Sequence, residues 1–387
     1  MLGFLVLLPA LASAFTHPGL LHTNRDFQRV IAKVNDGSAE PWKTGWNKLT
    51  SNSLASPTYE PSAVETVYRG TGYPENYRNL FRDAHAAYQL ALRWKISGNA
   101  TFADAAARVL DDWSGTLKVV NGSSDKFLAA GLYGYQLANA AEILRDYSEW
   151  TGLEAIKDLG RRIFYPMNHD FLVRHNDAEI DHYWANWDLC NIASMQAWGV
   201  VLDNETMYNE AVDYFTSTGQ GNGNIEKMIW KLHQEEGSNK MLGQGQEAGR
   251  DQGHALLDFG LLGVIAQQSY NQGHDLFALG NNRILAGAEY AAKYNLGHDV
   301  PFSPLTTSTH GTQEVISPDG RGGIRPIWEL LYAHYGVLKG LNASWTEQYR
   351  DLVVKNGSGA EGGGGNYGPN SGGFDNFGFG TLMYRLE

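Results

Sequence analysis

Five side chains between Glu247 and Asp258 have types and spacing suited to proton chemistry. Read as a helix from Gln246 to Gln267, the run places Glu247, Arg250, Asp251, His254 and Asp258 on one stripe, because residues three and four apart share a helical face. The opposite face carries Gly249, Gly253, Gly260 and Gly263. Glycine inside a helix costs roughly 1 kcal/mol against alanine, so four on one side predict a close neighbouring backbone. An acid, a base and a cation on a packed helix are costly unless paired or used. The competing interpretation is a buried ion-pair network.

Two further stretches add functional groups. In Asp181–Cys190, His182 and Asn186 are four apart, and Asn186 is flanked by aromatics that include Trp187. In Asn281–Leu296, Arg283, Gly287, Tyr290 and Tyr294 share a helical face, and the helix is predicted to stop near Gly297. Each has a plain structural alternative: Asn186 as a buried hydrogen-bonding residue, the tyrosines as packing. Together the three stretches supply an amide, an imidazole, guanidinium groups, a carboxylate and phenols. β-Elimination on a uronic acid polysaccharide needs that set without a metal. The proton on C5 lies next to a carboxylate and is weakly acidic, so the carboxylate must be neutralised as the enolate-like state develops. Asn186, a protonated histidine and arginine can do this, as donors do in an oxyanion hole. A tyrosine would then act as base, with Arg250 or Arg283 stabilising its phenolate.

The runs QEAGRDQGH and LLDFGLL, then NRILAGAEYAAKYNLGHDVPF, with NWDLCN upstream and GFGTLMY near the end, resemble the alginate-lyase-like family of polysaccharide lyases. The resemblance extends from about Val67 to the C-terminus. It implies an all-α (α/α) toroid, no required metal or other cofactor, and eliminative cleavage of alginate or glucuronan. By the same resemblance Asn186 neutralises the carboxylate and His254 is catalytic. Glu247 and Arg250 belong to the substrate site, and the catalytic tyrosine is Tyr290 or Tyr294. The chain departs from better-known members in having Asn186-Trp187-Asp188 where they carry Asn-Asn-His. It also lacks a tyrosine shortly after Arg250.

The elements that must position these groups are read as helices almost throughout. They are Arg25–Asn35, Tyr77–Ser97, Ala103–Trp113, Lys126–Thr151, Leu153–Phe164, His182–Leu202, Glu205–Thr216, Ile225–His233, Gln246–Gln267, Asp275–Asn295, Ile327–Leu338 and Trp345–Lys355. Short connections predict stacked antiparallel pairs closing into an incomplete barrel of helix hairpins. No fixed repeat indicates a solenoid. Strand signals are confined to Ser358–Gly365 and Gly378–Tyr384, near the C-terminus. Val300–Pro326, with His310, Arg321 and Arg325, has neither pattern and is expected to cover a cleft. His182, Trp187, Arg283 and Arg325 join Glu247 as expected substrate contacts.

Residues 1–14 form an apolar run ending Ala12-Ser13-Ala14, expected to be a secretory leader, with 15–387 as one lyase domain. Acceptor sequons at Asn99, Asn121, Asn204, Asn342 and Asn356 agree with secretion, and each asparagine is expected to be exposed. The single cysteine, Cys190, excludes an intramolecular disulfide and reads as a buried small hydrophobe. A net charge of −12 disfavours nucleic acid and anionic membranes as partners. Eleven Trp and twenty Tyr suit stacking on sugars, though large helical cores use them too. The expected partner is an anionic polysaccharide, and the expected state is a monomer. Three alternatives remain open. One is a glycoside hydrolase pairing Asp111 or Asp112 with Asp188, Glu247 or Asp251. Another is a non-catalytic carbohydrate binder. The third is a metal site drawn from His182, Asp188, Glu247 and His254, which lack the spacing of known zinc motifs.

Overall fold

The computed structural model describes residues 15–387; the expected leader over 1–14 lies outside the described residues. The helices are α1 (Asn24–Asp36), α2 (Trp42–Ser51), α3 (Tyr77–Ser97), α4 (Ala100–Thr116), α5 (Lys126–Leu144), α6 (Leu153–Leu159), α7 (Tyr165–Arg174), α8 (Ala185–Val201), α9 (Glu205–Asp213), α10 (Ile225–Met228), α11 (Gln252–Asn271), α12 (Leu279–Asn295), α13 (Trp328–Tyr332), α14 (Ser344–Asn356) and α15 (Gly380–Met383). They build an (α/α) toroid.

Burial sorts the helices into two layers. In α5 every residue from Phe127 to Leu144 is buried, and α8 is buried on all sides except at Trp187. A helix apolar all round belongs inside, whereas α1 and α4 keep a polar outer face. The inner helices α3, α5, α8 and α11 run parallel. Asn191 and Ser194 of α8 bond to the carbonyls of Phe127 and Ala130, a constant offset along the two chains. Tyr77 and Phe81 at the start of α3 pack on Tyr133 of α5. Gln268 and Ser269 of α11 bond to Ala193 and Gln196 of α8. A Cβ on Gly131 would come within 2.8 Å of the Cys190 backbone, so glycine is what lets α5 and α8 approach so closely. One contiguous apolar core extends from Leu20 to Met383. Cys190 lies inside it, and burial pushes its thiol well up.

Several expectations are corrected. The helix drawn from Gln246 begins at Gln252, because Asp251 caps it by accepting the His254 N–H at 2.8 Å. Residues 245–250 form tight turns instead. Of the four glycines, Gly249 and Gly260 meet neighbours closely, the Gln313 and Asn376 side chains, and Gly263 lies against Leu330, whereas a Cβ on Gly253 would meet only the Asp251 carboxylate. The helix drawn from His182 begins at Ala185, and the one from Ile225 stops at Met228. Strands are spread along the chain rather than gathered at its end. β1 (Thr66–Arg69) and β2 (Val119–Gly122) pair in parallel, Thr66 opposite Val119. β3 (Lys231–Gln234) and β4 (Met241–Gln244) form a hairpin, Lys231 opposite Gln244. The predicted C-terminal strands meet only in a bridge between Gly363 and Gly378. Val300–Pro326 contains the hairpin β5 (Leu305–Thr307) and β6 (Gly311–Gln313). Four of the five sequon asparagines are exposed; Asn121, in β2, is half-buried.

Candidate active site

Parallel inner helices bring the N-termini of α3, α5, α8 and α11 to one mouth of the toroid. Each carries partial positive charge there, which favours an anionic ligand. On the mouth the side chains of α8, the β4–α11 connection and α11 form one hydrogen-bonded chain. Glu247, fully buried, accepts at Oε1 from the Asn186 backbone N–H (3.0 Å) and from Asn186 Nδ2 (2.6 Å). Its Oε2 accepts from Arg250 Nη1 at 2.6 Å. Arg250 Nη2 lies 3.2 Å from His254 Nε2, and His254 Nδ1 lies 2.6 Å from Asp251 Oδ2. The Arg250 guanidinium sits 4.9 Å over the Trp184 ring.

These contacts assign roles to the two ring nitrogens. Guanidinium can only donate, so His254 Nε2 accepts from Arg250 and Nδ1–H donates to Asp251. Nε2 is thus engaged by Arg250 at the mouth, and the side chain is 42% exposed. Burial opposes the charge on Asp251, but hydrogen bonds from the His254 ring and backbone N–H outweigh it and hold that carboxyl down at about 2. Asp258, one turn further along α11, is fully buried against Glu247, and burial with that neighbouring charge pushes it well above the ordinary range.

The β5–β6 hairpin forms a wall beside this chain. Ser308 at its tip donates its backbone N–H to the Asp181 carboxylate, His310 Nε2 bonds to the His182 carbonyl at 2.9 Å, and the His310 ring stacks on Trp184 at 4.2 Å. Behind it, the Ser317 and Gln252 N–H groups bond to Ala248 and Asp319. The segment is therefore pinned on both sides of the cluster.

Of the residues singled out in the sequence, Asn186, Glu247, Arg250 and His254 come together directly. His182 sits on the rim, Nδ1 3.0 Å from Thr309 Oγ1. Trp187 packs against Phe171 and Tyr183. Arg325 reaches Asp375 at 3.3 Å and Asn376 at 3.4 Å, next to Gly260 of α11. Arg283 is drawn instead to the Ile229 carbonyl at 2.8 Å. Tyr290 is buried in a satellite cluster with Leu242, Ala248, Val300, Phe302 and Ile316. Its hydroxyl has no partner, and burial raises its pKa. Tyr294 is buried beneath the Arg321 guanidinium, 3.9 Å from its ring. The expectation that Arg250 or Arg283 would stabilise a phenolate fails on geometry. Neither guanidinium is bonded to a tyrosine hydroxyl: Arg250 turns to Glu247 and His254, Arg283 to a backbone oxygen, and the cation over Tyr294 is Arg321.

The sequence reading missed Trp184, the platform for Arg250. It also missed Arg69 at the end of β1, which donates to Tyr133 Oη at 3.2 Å and lies 4.9 Å over Tyr77. Its location in a short parallel strand carried no periodic signal. The hydrolase pairing is separated by layers: Asp111 accepts from Trp150 on outer helix α4, while Asp188 of α8 is bonded by Tyr214 and Gly223. Among the described residues no group of three or more His, Cys, Asp or Glu is placed to hold a metal ion.

A family profile described as alginate lyase matches residues 58–300. No curated protein sequence matches the chain. Alginate lyase A1-III from Sphingomonas species A1, in the apo form of a variant, is similar in structure, with a TM-score of 0.58 at 15% identity over 97% of this chain and 98% of that one. An alginate lyase from Bacteroides ovatus gives a TM-score of 0.56 at 11% identity, covering 96% and 100%. A form of the A1-III enzyme complexed with a tetrasaccharide gives 0.51 at 15% identity, covering 72% and 77%.

Proposed function

Since this chain belongs to the alginate lyase family and is a polysaccharide lyase, we propose that it is secreted and cleaves a uronic acid polymer, alginate or glucuronan, by β-elimination at the Asn186–Arg250–His254 mouth. The observation that carries the reading is the continuous chain from Asp251 through His254, Arg250 and Glu247 to Asn186. Asn186 Nδ2 has a second hydrogen to give, and Arg250 has further N–H groups. Both meet the uronate carboxylate and take up the charge that develops as C5 is deprotonated. Arg250 gives up its contact with His254 Nε2 to the incoming carboxylate, and the freed Nε2 takes that proton, with Asp251 holding the ring and stabilising the imidazolium. The C4–O bond breaks as the C4–C5 double bond forms, and the imidazolium returns the proton to the departing oxygen.

This reading gives the base role to His254 rather than to Tyr290. A phenol sealed among apolar side chains with a raised pKa is a poor proton acceptor. Secretion is supported by the apolar leader and the sequons. The test is release of ultraviolet-absorbing unsaturated ends from alginate, glucuronan and neutral glucans by the purified protein. Activity on a polyuronide and none on neutral polymers is the expected result. Reducing ends without ultraviolet absorbance would mean hydrolysis and overturn it.

A further inference from the structure

The mouth holds more acid than its fixed cation can balance. Glu247 and Asp258 are both fully buried, and their carboxyls face each other. Glu247 uses both oxygens as acceptors, toward Asn186 and Arg250. Neither oxygen of Asp258 receives a hydrogen bond from any donor. A buried carboxylate without donors is among the costliest groups a protein can hold, whereas a buried carboxylic acid beside an acceptor is satisfied by its own proton.

We propose that Asp258 is a positioning residue that works as a neutral carboxylic acid, donating its proton to Glu247 and so holding Glu247 as the acceptor that orients Asn186 and Arg250. The proton stays on Asp258 throughout the cycle. This rests on the reading that Asn186 and Arg250 receive the uronate. Burial disfavours the Asp258 anion most, and the Glu247 charge adds to this; Arg250 opposes it, and Asp251 reinforces it. His254 lies one turn away on the same helix and is committed to Asp251 and Arg250. Acids on neighbouring elements face elsewhere. Asp188 of α8 faces Tyr214 and Gly223, Glu289 of α12 faces Lys240 and Thr346, and Glu329 of α13 faces Arg385.

The sign of the pH effect follows from linkage. A carboxyl whose pKa is raised on folding contributes stability that is complete below its unfolded value of 3.8 and is lost as pH rises toward the folded value. Asp258→Asn places a permanent donor against Glu247, with no proton to lose. The experiment measures thermal unfolding and elimination kinetics of wild type, Asp258→Asn and Asp258→Ala from about pH 4 to about pH 9. The Tm of Asp258→Asn should gain on wild type steadily as pH rises. Asp258→Ala should lose kcat by about 10²-fold with KM little changed, as expected for displaced catalytic groups. Asp258→Asn should recover most of that loss. Parallel Tm curves for wild type and Asp258→Asn would show an ionised Asp258 and overturn the proposal. So would an Asp258→Asn protein as inactive as Asp258→Ala but fully stable. A wild type without activity on any polyuronide would sink the functional reading instead, and the unfolding curves would still decide the protonation state.

Discussion

Two polar networks close the two ends of the toroid, and their charge balance differs. At the C-terminal ends of the inner helices, buried Glu142 is paired with His17 (2.5 Å) and Arg145 (3.2 Å). Asp203 is paired with the same two residues and with Lys157 (2.8, 3.5 and 3.2 Å). Two acids meet two fixed cations and a histidine held by carboxylates at both ring nitrogens. At the mouth, Glu247, Asp251 and Asp258 meet one fixed cation, Arg250, and His254 offers a lone pair to it. The first network is saturated and ties the N-terminal segment down. The second is short of positive charge, which is the condition for retaining a proton on a buried acid.

The sharpest way to break the comparison is to remove each histidine. His254→Ala should cut turnover by about 10²-fold or more, whereas His17→Ala should leave kcat unchanged and lower Tm. Equal losses of turnover in the two would mean that the ends are not functionally distinct. Asn186→Ala should follow, with about 10²-fold lower kcat and a smaller change in KM, because a donor aimed at developing charge acts mainly in the transition state. Unchanged kcat in steady-state assays would remove Asn186 from the mechanism. Tyr290→Phe should leave turnover within a few-fold and hold or raise Tm, since it deletes a hydroxyl that is buried without a partner. Abolished turnover in a folded Tyr290→Phe protein would return the base role to the phenol. The smallest effect concerns pH. Burial opposes a charged His17, but the bonds to Glu142 and Asp203 outweigh it and raise its pKa above 6.5. Its stabilisation is therefore full below that value and fades as pH rises through the folded one. The Tm deficit of His17→Gln should be greatest near pH 6 and close at alkaline pH, and a pH-independent deficit would contradict the assignment.

Much of the fold was legible because inner and outer helices differ in one-dimensional pattern. α5 and α8 are apolar all round, while α1 carries Thr23, Asp26 and Gly37 as start and stop signals. The strands were not legible. Each is three or four residues long, too short to show alternation, and β1 and β2 are held by pairing across more than fifty residues of chain.

At the site, residue types and local spacing marked Glu247, Arg250 and His254 as one chemical group, since charge that close must be paired or used, whereas Asn186, in a separate stretch, was joined to them by the family resemblance. Their mutual geometry belonged to tertiary structure. The cap at Asp251 started the helix six residues later than its periodicity suggested and left Glu247 and Arg250 in turns that face α8. Packing of α12 against β4 then withdrew Tyr290 from the mouth and sealed it in an apolar pocket. The sequence determined which groups were available. Which of them lines the mouth was decided by long-range packing, because burial and partner choice depend on neighbours far away in the chain.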